Sequence, residues 1–339
     1  MASSDRVVGT CNEMCSEREI KWRERNGLLH YFEINSAVKP EINADPTKVV
    51  KQFSRSAAGK QLLSPSDLRP SPVLLKTINY LVEKIVPRTD LPWVAIYDFV
   101  NDRIQAIRQD MTIQMIEDNN AVEILEKCVR FYITASYILC EEPSNKFDQH
   151  LNSQQLSICL ERLFTLYHKF KSKSMSEFIA IYFVENVAYS ETYYRSVSVF
   201  SDYLKSYDVK ICIQICTAYT NGNFIRFFKL VKKLPIIILL CLFHLFSSIH
   251  ISALETLNVA FSSNVCNFPI STLCSWLSVT DKEHLLQLCQ NCGIKIDNSN
   301  VCFNKKLFNR ASTLPFKKEA FIDEKLKKIS LSKLINGLS

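Results

Sequence analysis

The stretch that decides the fold class is WVAIYDFVNDRIQAIRQDMTIQM, residues Trp93–Met115. Its apolar side chains recur at spacings of three and four residues, which places them on one face of an α-helix. The residues on that face are Trp93, Tyr97, Val100, Ile104, Ile107, Met111 and Met115. No proline lies between Pro92 and Pro143, so nothing in the sequence interrupts the helix. The stretch predicts one long amphipathic helix in a mostly α-helical protein.

The amino-acid composition favours the same class. The 339 residues include only 6 Gly but 21 Phe. Glycine usually makes up roughly 7% of a protein, so its scarcity excludes repeated glycine-rich phosphate loops, collagen and most turn-rich β folds. A balance of 47% hydrophobic and 22% charged residues is typical of a folded soluble protein with a sizeable core.

Similar patterns predict further helices along the chain. A second helix covers about 122–136 and ends before Pro143, and a third begins at Asn152, whose side chain would cap it together with Gln155. Further helical stretches fit 175–200, 202–220, 223–233 and 236–262. Successive amphipathic helices with short connections predict a stacked helical-repeat array of the TPR/PCI-like kind.

The pattern changes after Ala260. Ser271–Leu277 fits a short helix, and Thr280–Glu283 is a capping box that opens another helix, which Gly293 can close. Apolar residues then alternate over 294–296 and 301–303 around a polar turn, which predicts a β-hairpin as the only regular β structure. Helix, short helix, helix and hairpin in that order predict a winged helix.

These patterns divide the chain into four parts. Residues 1–72 form an N-terminal arm and an extended proline-rich wrap, since residues before proline are pushed out of the helical region. Residues 73–248 form the helical-repeat region, 249–310 the winged helix and 311–339 a basic tail.

Positive charge is concentrated near the C-terminal end. Residues 303–339 hold nine Lys or Arg against three acids, whereas the other 302 residues carry a net charge of about +1. Such a segment favours an anionic partner: nucleic acid, an acidic protein face or a membrane surface. A solvated tail that keeps the protein soluble is the alternative. The candidate nucleic-acid-binding residues are Lys295, Lys305, Lys306 and Arg310, which all fall on or directly after the hairpin.

The sequence offers no catalytic constellation. It contains no H-E-x-x-H and no G-x-S-x-G, and Gly59-Lys60 fails as a phosphate loop because Ser54 stands at its first glycine position and Gln61 replaces the magnesium-binding Ser or Thr. Asp98, Asp102, Arg103, Arg108 and Asp110 share the long helix and predict ion pairs to neighbouring helices or to the proline-rich segment. We therefore expect no enzyme, no cofactor and no small-molecule substrate.

Metal and membrane binding are not expected either. The thirteen cysteines include one C-x-x-C, Cys289 and Cys292, without a second pair of matching spacing, so buried reduced thiols are favoured over a structural zinc site. The chain shows no secretory segment, which indicates an intracellular compartment. The most apolar run, Ile236–Phe246, is shorter than the roughly 18 residues that span a bilayer, and a buried helix is predicted there.

Several strings, in order, resemble the Sac/GANP homology family, where GANP is the germinal-centre-associated nuclear protein. Gly9–Glu19, GTCNEMCSERE, resembles the signature G-T-C-x-x-M-C-P-x-x-E that opens the region, with Ser16 at the usual proline. The later strings are Arg55–Ala58 (RSAA), Asp67–Pro70 (DLRP), Phe99–Arg103 (FVNDR), Ile107–Asp110 (IRQD) and Asn223–Phe228 (NFIRFF). The resemblance covers roughly residues 7–310 and departs from the family again at Phe224, where a Tyr is usual.

The resemblance assigns a structural role to the residues of these motifs. They are Gly9, Thr10, Cys11, Met14, Cys15, Asp67, Arg69, Pro70, Asp102, Arg103, Arg108, Asp110, Arg226, Phe227 and Phe228.

The resemblance implies a non-enzymatic scaffold in the transcription-coupled messenger-RNA export complex of the nucleus. Its partner there would be a PCI-domain protein, itself associated with a small acidic peptide of the DSS/Sem type. The two winged helices would lie side by side and offer a joint surface for nucleic acid, with single-stranded RNA as the ligand.

The short, single-domain branch of the family implies an alternative. This sequence has no Phe-Gly repeats before residue 9 and about 30 residues after the predicted winged helix, so pore docking is not expected. Animal members of that branch are linked to the centrosome and mitotic spindle, which implies centrosomal or cytoplasmic localisation. Both functions stay open from the sequence.

Overall fold

The computed structural model describes residues 7–35, 43–55, 64–187, 197–263, 266, 268–297, 299–310 and 316–338. These residues form fourteen α-helices and one small sheet, so the prediction of a mostly α-helical fold is confirmed. Most of the Arg55–Ala58 string, Gly59-Lys60 and residues 311–315 of the predicted basic tail lie outside the described residues.

The chain folds into two compact units. Unit 1 comprises residues 1–132, 154–172 and 331–338, and unit 2 comprises 133–153, 173–330 and 339. In chain order the helices are α1 Glu17–Arg25, α2 Ser71–Tyr80, α3 Trp93–Ile113, α4 Asn119–Ile138, α5 Gln149–Tyr167, α6 Met175–Glu185, α7 Tyr207–Thr220, α8 Phe224–Val231, α9 Ile236–Leu242, α10 Phe246–Phe261, α11 Ile270–Leu277, α12 Lys282–Asn291, α13 Ala320–Leu326 and α14 Leu331–Ile335. The predicted domain boundaries after residues 72, 248 and 310 stay a prediction.

Helix α3 is the long helix that the sequence predicts. It begins directly after Pro92, and the middle of its apolar face, from Val100 to Met111, is fully buried. The helix ends at Ile113, and Met115 lies beyond it with a left-handed φ of 49° and 64% exposure. The end is fixed by Gln114, whose side-chain amide donates to the carbonyl oxygens of Asp110 (3.0 Å) and Arg69 (2.8 Å). The prediction that Met115 lies on the buried face is wrong.

Two predicted helix N-caps are misplaced, by four residues in α5 and by one residue in α12. The cap of α5 is Asp148, whose carboxylate accepts the N–H of Leu151 at 3.0 Å, and Asn152 lies inside the helix, fully buried. The cap of α12 is Asp281, which accepts from the N–H of Glu283, and not Thr280. In both cases a nearby aspartate, four residues before Asn152 and directly after Thr280, accepts from the free amides instead, because its charge suits a helix N-terminus better.

The proline-rich segment is less extended than predicted. Pro65–Asp67 forms a 3-10 turn, and α2 already begins at Ser71 with Pro72 in its first turn. Proline fits there because the first helical amides need no partner within the helix. Helix α2 continues into a π-helical turn, Leu81–Ile85, which also contacts α3 and α14 within unit 1.

Unit 2 contains helices that pack in sequence. Helix α6 packs against α7 and α9, and α7 packs against α8. The predicted helical stretch over 175–200 is not continuous, since α6 ends at Glu185 with Asn186 as its cap, and residues 188–196 lie outside the described residues. The aromatic side chains of Phe227, Phe228 and Phe246 pack edge-to-face, and Phe228 stacks on the buried ring of His250 at 5.0 Å. Burial lowers the pKa of His250 to about 4, which keeps this ring neutral in the core.

The apolar run near Ile236 is longer than predicted. Residues Ile236–Phe261 form a helical run of 26 residues whose most apolar 18-residue window has a mean hydropathy of 2.2, so by length and composition it could cross a membrane. Within the described residues 78% of its most apolar window is buried inside the protein. The prediction that the run is too short is therefore wrong, whereas its burial is as predicted.

The sheet lies in the C-terminal part of unit 2. The predicted hairpin is confirmed as β2, Lys295–Asp297, paired antiparallel with β3, Asn300–Cys302. A third strand, β1 over Phe268–Pro269, pairs with the other edge of β3, so the prediction of a hairpin alone is wrong. Two residues with a proline at the sheet edge leave no alternating pattern that sequence reasoning could use.

A buried carboxylate on α3 joins three segments of unit 1. Asp110 accepts from Lys51 Nζ at 2.6 Å and from Arg69 Nε at 2.7 Å, and all three side chains are at least 94% buried. The two cations also hold backbone, since Lys51 Nζ donates to the carbonyl oxygen of Asp67 (2.7 Å) and Arg69 Nη1 to that of Met14 (3.3 Å). The predicted ion pair between α3 and the proline-rich segment is confirmed at Arg69.

A second buried carboxylate, Glu33, pairs with two arginines in the same unit. Arg103 of α3 lies 3.0 Å from Glu33 Oε1, and Arg23 of α1 binds the same carboxylate. Burial by itself raises the pKa of Glu33, but Arg103 and Arg23 outweigh it and hold the pKa below its ordinary value. The charged residues of α3 thus fix the N-terminal segments to unit 1.

Replacing Asp110 should destabilise unit 1 strongly. Asp110→Ala leaves Lys51 and Arg69 buried without their counter-charge, and breaking a buried pair typically costs about 3–5 kcal/mol. Urea unfolding should show a markedly lower midpoint for this variant. Asp90→Ala, which removes the exposed partner of Arg88, is the control and should change little. An unchanged midpoint for Asp110→Ala would show that the network adds nothing to stability.

Candidate nucleic-acid interface

The hairpin presents one polar and one apolar face. The register pairs Lys295 with Cys302 and Ile296 with Val301. Directly opposed residues share a face, so Lys295 and Cys302 lie together on the exposed side, whereas Val301 is fully buried. The hairpin therefore presents Lys295 to solvent.

The turn after β3 carries two more of the candidate cations. The N–H of Asn304 donates to Asn258 Oδ1 at 2.9 Å, and the N–H of Lys305 donates to Ser262 Oγ at 3.0 Å. Asn258 belongs to α10 and Ser262 follows it directly. The backbone of this turn is thus held at the C-terminal end of α10, while the side chains of Lys305 and Lys306 are exposed.

Gly293 holds the other side of that turn. It ends α12 with a φ of 70°, and a Cβ at this position would lie 2.3 Å from the carbonyl oxygen of Leu307. Neither the dihedral angle nor the space permits a side chain. The N–H of Asn309 then donates to the carbonyl oxygen of Cys292 at 3.1 Å, which fastens the chain after the turn to the end of α12.

Three of the four candidate cations are unpaired, and one is neutralised. Lys295, Lys305 and Lys306 make no ion pair with any residue in the described ranges. Arg310 lies 3.0 Å from Glu255 of α10, with 63% of its side chain exposed. Sequence reasoning missed Glu255, because 55 residues separate it from Arg310 and no local pattern links them.

The motif residues of unit 1 lie together. The N–H of Gly9 donates to Gln114 Oε1 at 2.8 Å, and the N–H groups of Thr10 and Cys11 donate to the carbonyl oxygens of Pro65 and Leu68. Eight further motif residues of unit 1 complete this cluster. They take part in the ion-pair networks described above, in backbone hydrogen bonds or in the buried core beside them: Met14, Cys15, Asp67, Arg69, Pro70, Asp102, Arg103 and Asp110.

The contacts of Ser16 give a structural role to the serine that stands where the family signature usually has proline. It is the N-cap of α1, its Oγ donates to Asp67 Oδ1 at 3.1 Å, and Asp67 also pairs with Arg18. A hydroxyl therefore joins the first motif to the DLRP string. Sequence reasoning did not identify Glu33, Lys51 or Arg23, which provide the partners of the cluster.

The remaining motif residues lie elsewhere. Arg108 points away from this cluster and donates to Gln155 Oε1 of α5 at 2.6 Å. In unit 2, Phe227 and Phe228 are buried on α8, whereas Arg226 is exposed on the same helix. The motif residues are therefore divided between the two units.

Most of the buried cysteines favour the neutral thiol. Burial raises the pKa of Cys11 and Cys15, and it raises that of Cys289 to about 12. A cysteine that binds zinc does so as the thiolate. Among the described residues, no group of three or more His, Cys, Asp or Glu side chains is arranged to hold a metal ion.

An acidic side chain is buried against α12 in unit 2. Glu319 is 4% exposed, its Oε1 lies 3.8 Å from His284 Nδ1, and its backbone bonds to the hydroxyl of Tyr137. Burial raises the pKa of Glu319 to about 8 and lowers that of His284. Near neutral pH both groups are therefore mainly uncharged, and this contact is not an ion pair.

Comparisons with known proteins identify relatives of the chain. The family model described as the SAC3/GANP family matches residues 14–298. The chain is 30% identical to SAC3 family protein 1 of Schizosaccharomyces pombe over 362 residues, covering 97% of this chain and 35% of that protein. It is 28% identical to SAC3 family protein B of Arabidopsis thaliana (82% and 17% covered) and 26% identical to protein xmas of Drosophila melanogaster (87% and 15%). The chain thus spans about a third or less of the length of each relative.

The raised pKa of Glu319 should make stability fall as the pH rises. The unfolded carboxyl titrates at about 4.5 and the folded one at about 8, so the folded state keeps the proton longer. Its contribution is fully present below pH 4.5 and declines up to about pH 8, by at most about 1.4 kcal/mol per pH unit. Glu319→Gln removes this decline, which urea unfolding at several pH values would measure. Glu324→Gln, at an exposed position, should keep the wild-type slope, and identical slopes for all three proteins would contradict the prediction.

Proposed function

The chain belongs to the SAC3/GANP family, and from this premise we propose that it is a non-enzymatic scaffold of nuclear messenger-RNA export. It pairs with a PCI-domain protein that carries a small acidic peptide of the DSS/Sem type. The pair presents a joint surface to single-stranded RNA. The family membership supports the scaffold class.

The observation that carries this proposal is the order of elements at the C-terminal end of unit 2. Helix α10, strand β1, helices α11 and α12 and strands β2 and β3 follow one another, and the strands form a sheet in the order β1-β3-β2. This order supports the proposed winged helix, in which the β2–β3 hairpin would be the wing. The packed helices before it support a PCI-like helical region.

The charge of the wing supports nucleic acid as a ligand. Lys295 on the wing and Lys305 and Lys306 in the turn behind it are exposed cations on a backbone held by hydrogen bonds. Contacts to phosphates need exposed cations and little else. Binding through such contacts depends only weakly on the nucleotide sequence. Arg310 adds less than predicted, because Glu255 already neutralises it.

Neutralising the three wing lysines should weaken RNA binding. We expect Lys295→Gln, Lys305→Gln and Lys306→Gln together to lower the affinity for labelled single-stranded RNA. The log–log salt slope should become shallower by roughly 0.7 for each phosphate that the variant no longer neutralises. The matched control is Glu255→Gln, which frees Arg310 and should act in the opposite direction. Equal affinities and equal slopes for all three proteins would mean that the wing does not bind RNA.

The partner and the location can be tested together. Tagged full-length chain recovered from extract should carry a PCI-domain protein, and the same chain in dividing cells should lie in the nucleus. A stable pairing should bury more than roughly 1,000 Å². Recovery of folded chain without any PCI-domain protein, together with centrosomal or spindle localisation, would favour the alternative role in cell division.

A further inference from the structure

Helix α8 presents a row of exposed cations on unit 2. Its apolar side is buried through Phe224, Phe227, Phe228 and Val231. Arg226 and Lys229 lie on the opposite side, and Lys232 and Lys233 follow directly after the last turn, all four exposed. At 1.5 Å per residue the row extends over about 10 Å.

The row has no acidic counterpart nearby in the sequence. No Asp or Glu occurs between Asp208 and Glu255, a stretch that contains all four cations. None of the four makes an ion pair with a residue that the structure describes. The positive charge of α8 is therefore available to an external anion.

Helix α13 adds to this surface from a distant part of the chain. Lys325 Nζ donates to the carbonyl oxygens of Lys232 (2.7 Å) and Leu234 (3.2 Å), which caps the C-terminal end of α8. Burial and the nearby charge of Lys328 lower the pKa of Lys325. Lys327 and Lys328 follow it and are exposed. We call Arg226, Lys229, Lys232, Lys233, Lys327 and Lys328 the α8–α13 basic surface.

We propose that the α8–α13 basic surface binds the phosphodiester backbone of single-stranded RNA, as a site separate from the wing lysines. The guanidinium of Arg226 can bind a phosphate through two parallel hydrogen bonds. The lysines act as point charges along the strand. The site has no means of reading bases, so it positions RNA without selecting a sequence.

The surroundings favour RNA over an acidic protein segment. A protein partner needs apolar anchors that enter pockets, and Ile225 is the one exposed apolar residue of α8, since its other apolar side chains are buried or half-buried. The adjacent groove contains Pro235 and Ile236, and Glu177 and Asp208 line it together with Lys325 and Lys328. The carboxylates offset the charge of the two lysines there, so the groove gives an acidic peptide no net positive anchor point. The four cations of the α8 row are not part of the groove lining, so phosphate contacts to them do not meet these carboxylates.

The test compares two sets of substitutions in the full chain. The first variant carries Arg226→Gln, Lys229→Gln, Lys232→Gln and Lys233→Gln. The control variant carries Lys76→Gln, Lys84→Gln, Lys171→Gln and Lys173→Gln, which removes the same charge from four exposed lysines elsewhere. Binding of labelled oligouridylate is measured between about 50 and about 200 mM salt, and circular dichroism checks that both variants are folded.

We expect the first variant to bind more weakly, with a salt slope shallower by about 1.4 to about 2.8, which corresponds to two to four phosphates that this variant no longer neutralises. The control should keep the wild-type slope. The same weakening should occur when the wing lysines are already substituted, so this site can fail or succeed independently of the wing. An unchanged slope in the first variant overturns the proposal. A second result would also overturn it: polyglutamate binds the wild type as tightly as oligouridylate does and no longer binds the first variant. That result would assign the surface to an acidic protein.

Discussion

The rest of unit 1 depends on the buried ion pairs of the Asp110 carboxylate with Lys51 and Arg69. Lys51 and Arg69 are buried beside it, and a buried cation without a partner costs several kcal/mol. Each of these cations also holds a backbone carbonyl, at Asp67 and Met14. The first motif and the DLRP string therefore take their places only when α3 is present. The same logic applies at Glu33, where two arginines from different segments share one carboxylate.

The sequence predicts the elements of unit 1 better than their partners. The apolar spacing of α3 is a local signal, and it identifies both the helix and its buried face. The type of contact was also predictable, since Arg69 pairs with α3 as expected. Glu33 and Lys51 were not, because they lie 70 and 59 residues from Arg103 and Asp110. The predicted N-caps at Asn152 and Thr280 were wrong for a different reason, namely competition from an aspartate within four residues of each.

At the candidate interface too, the local elements were predictable from the sequence and the long-range partners were not. The hairpin and its lysines follow from alternation, whereas β1 is too short to show any pattern, and the partner of Arg310 lies on another helix. In the sequence, Lys327 and Lys328 belong to the same basic segment, residues 303–339, as the lysines after the hairpin. The structure instead places the neighbouring Lys325 at the end of α8. A basic segment thus reinforces a second basic segment about ninety residues earlier in the chain.

Gly293 has a consequence for how this surface can evolve. A Cβ at Gly293 would lie 2.3 Å from the carbonyl oxygen of Leu307, so residue 293 cannot carry a side chain unless the loop with Lys305 and Lys306 moves. Insertions there would break the hydrogen bonds to Asn258 and Ser262. Substitutions of Lys305 and Lys306 can therefore change the charge of the loop while its geometry is retained. Homologous chains with different ligands should differ in the composition of this loop more than in its length.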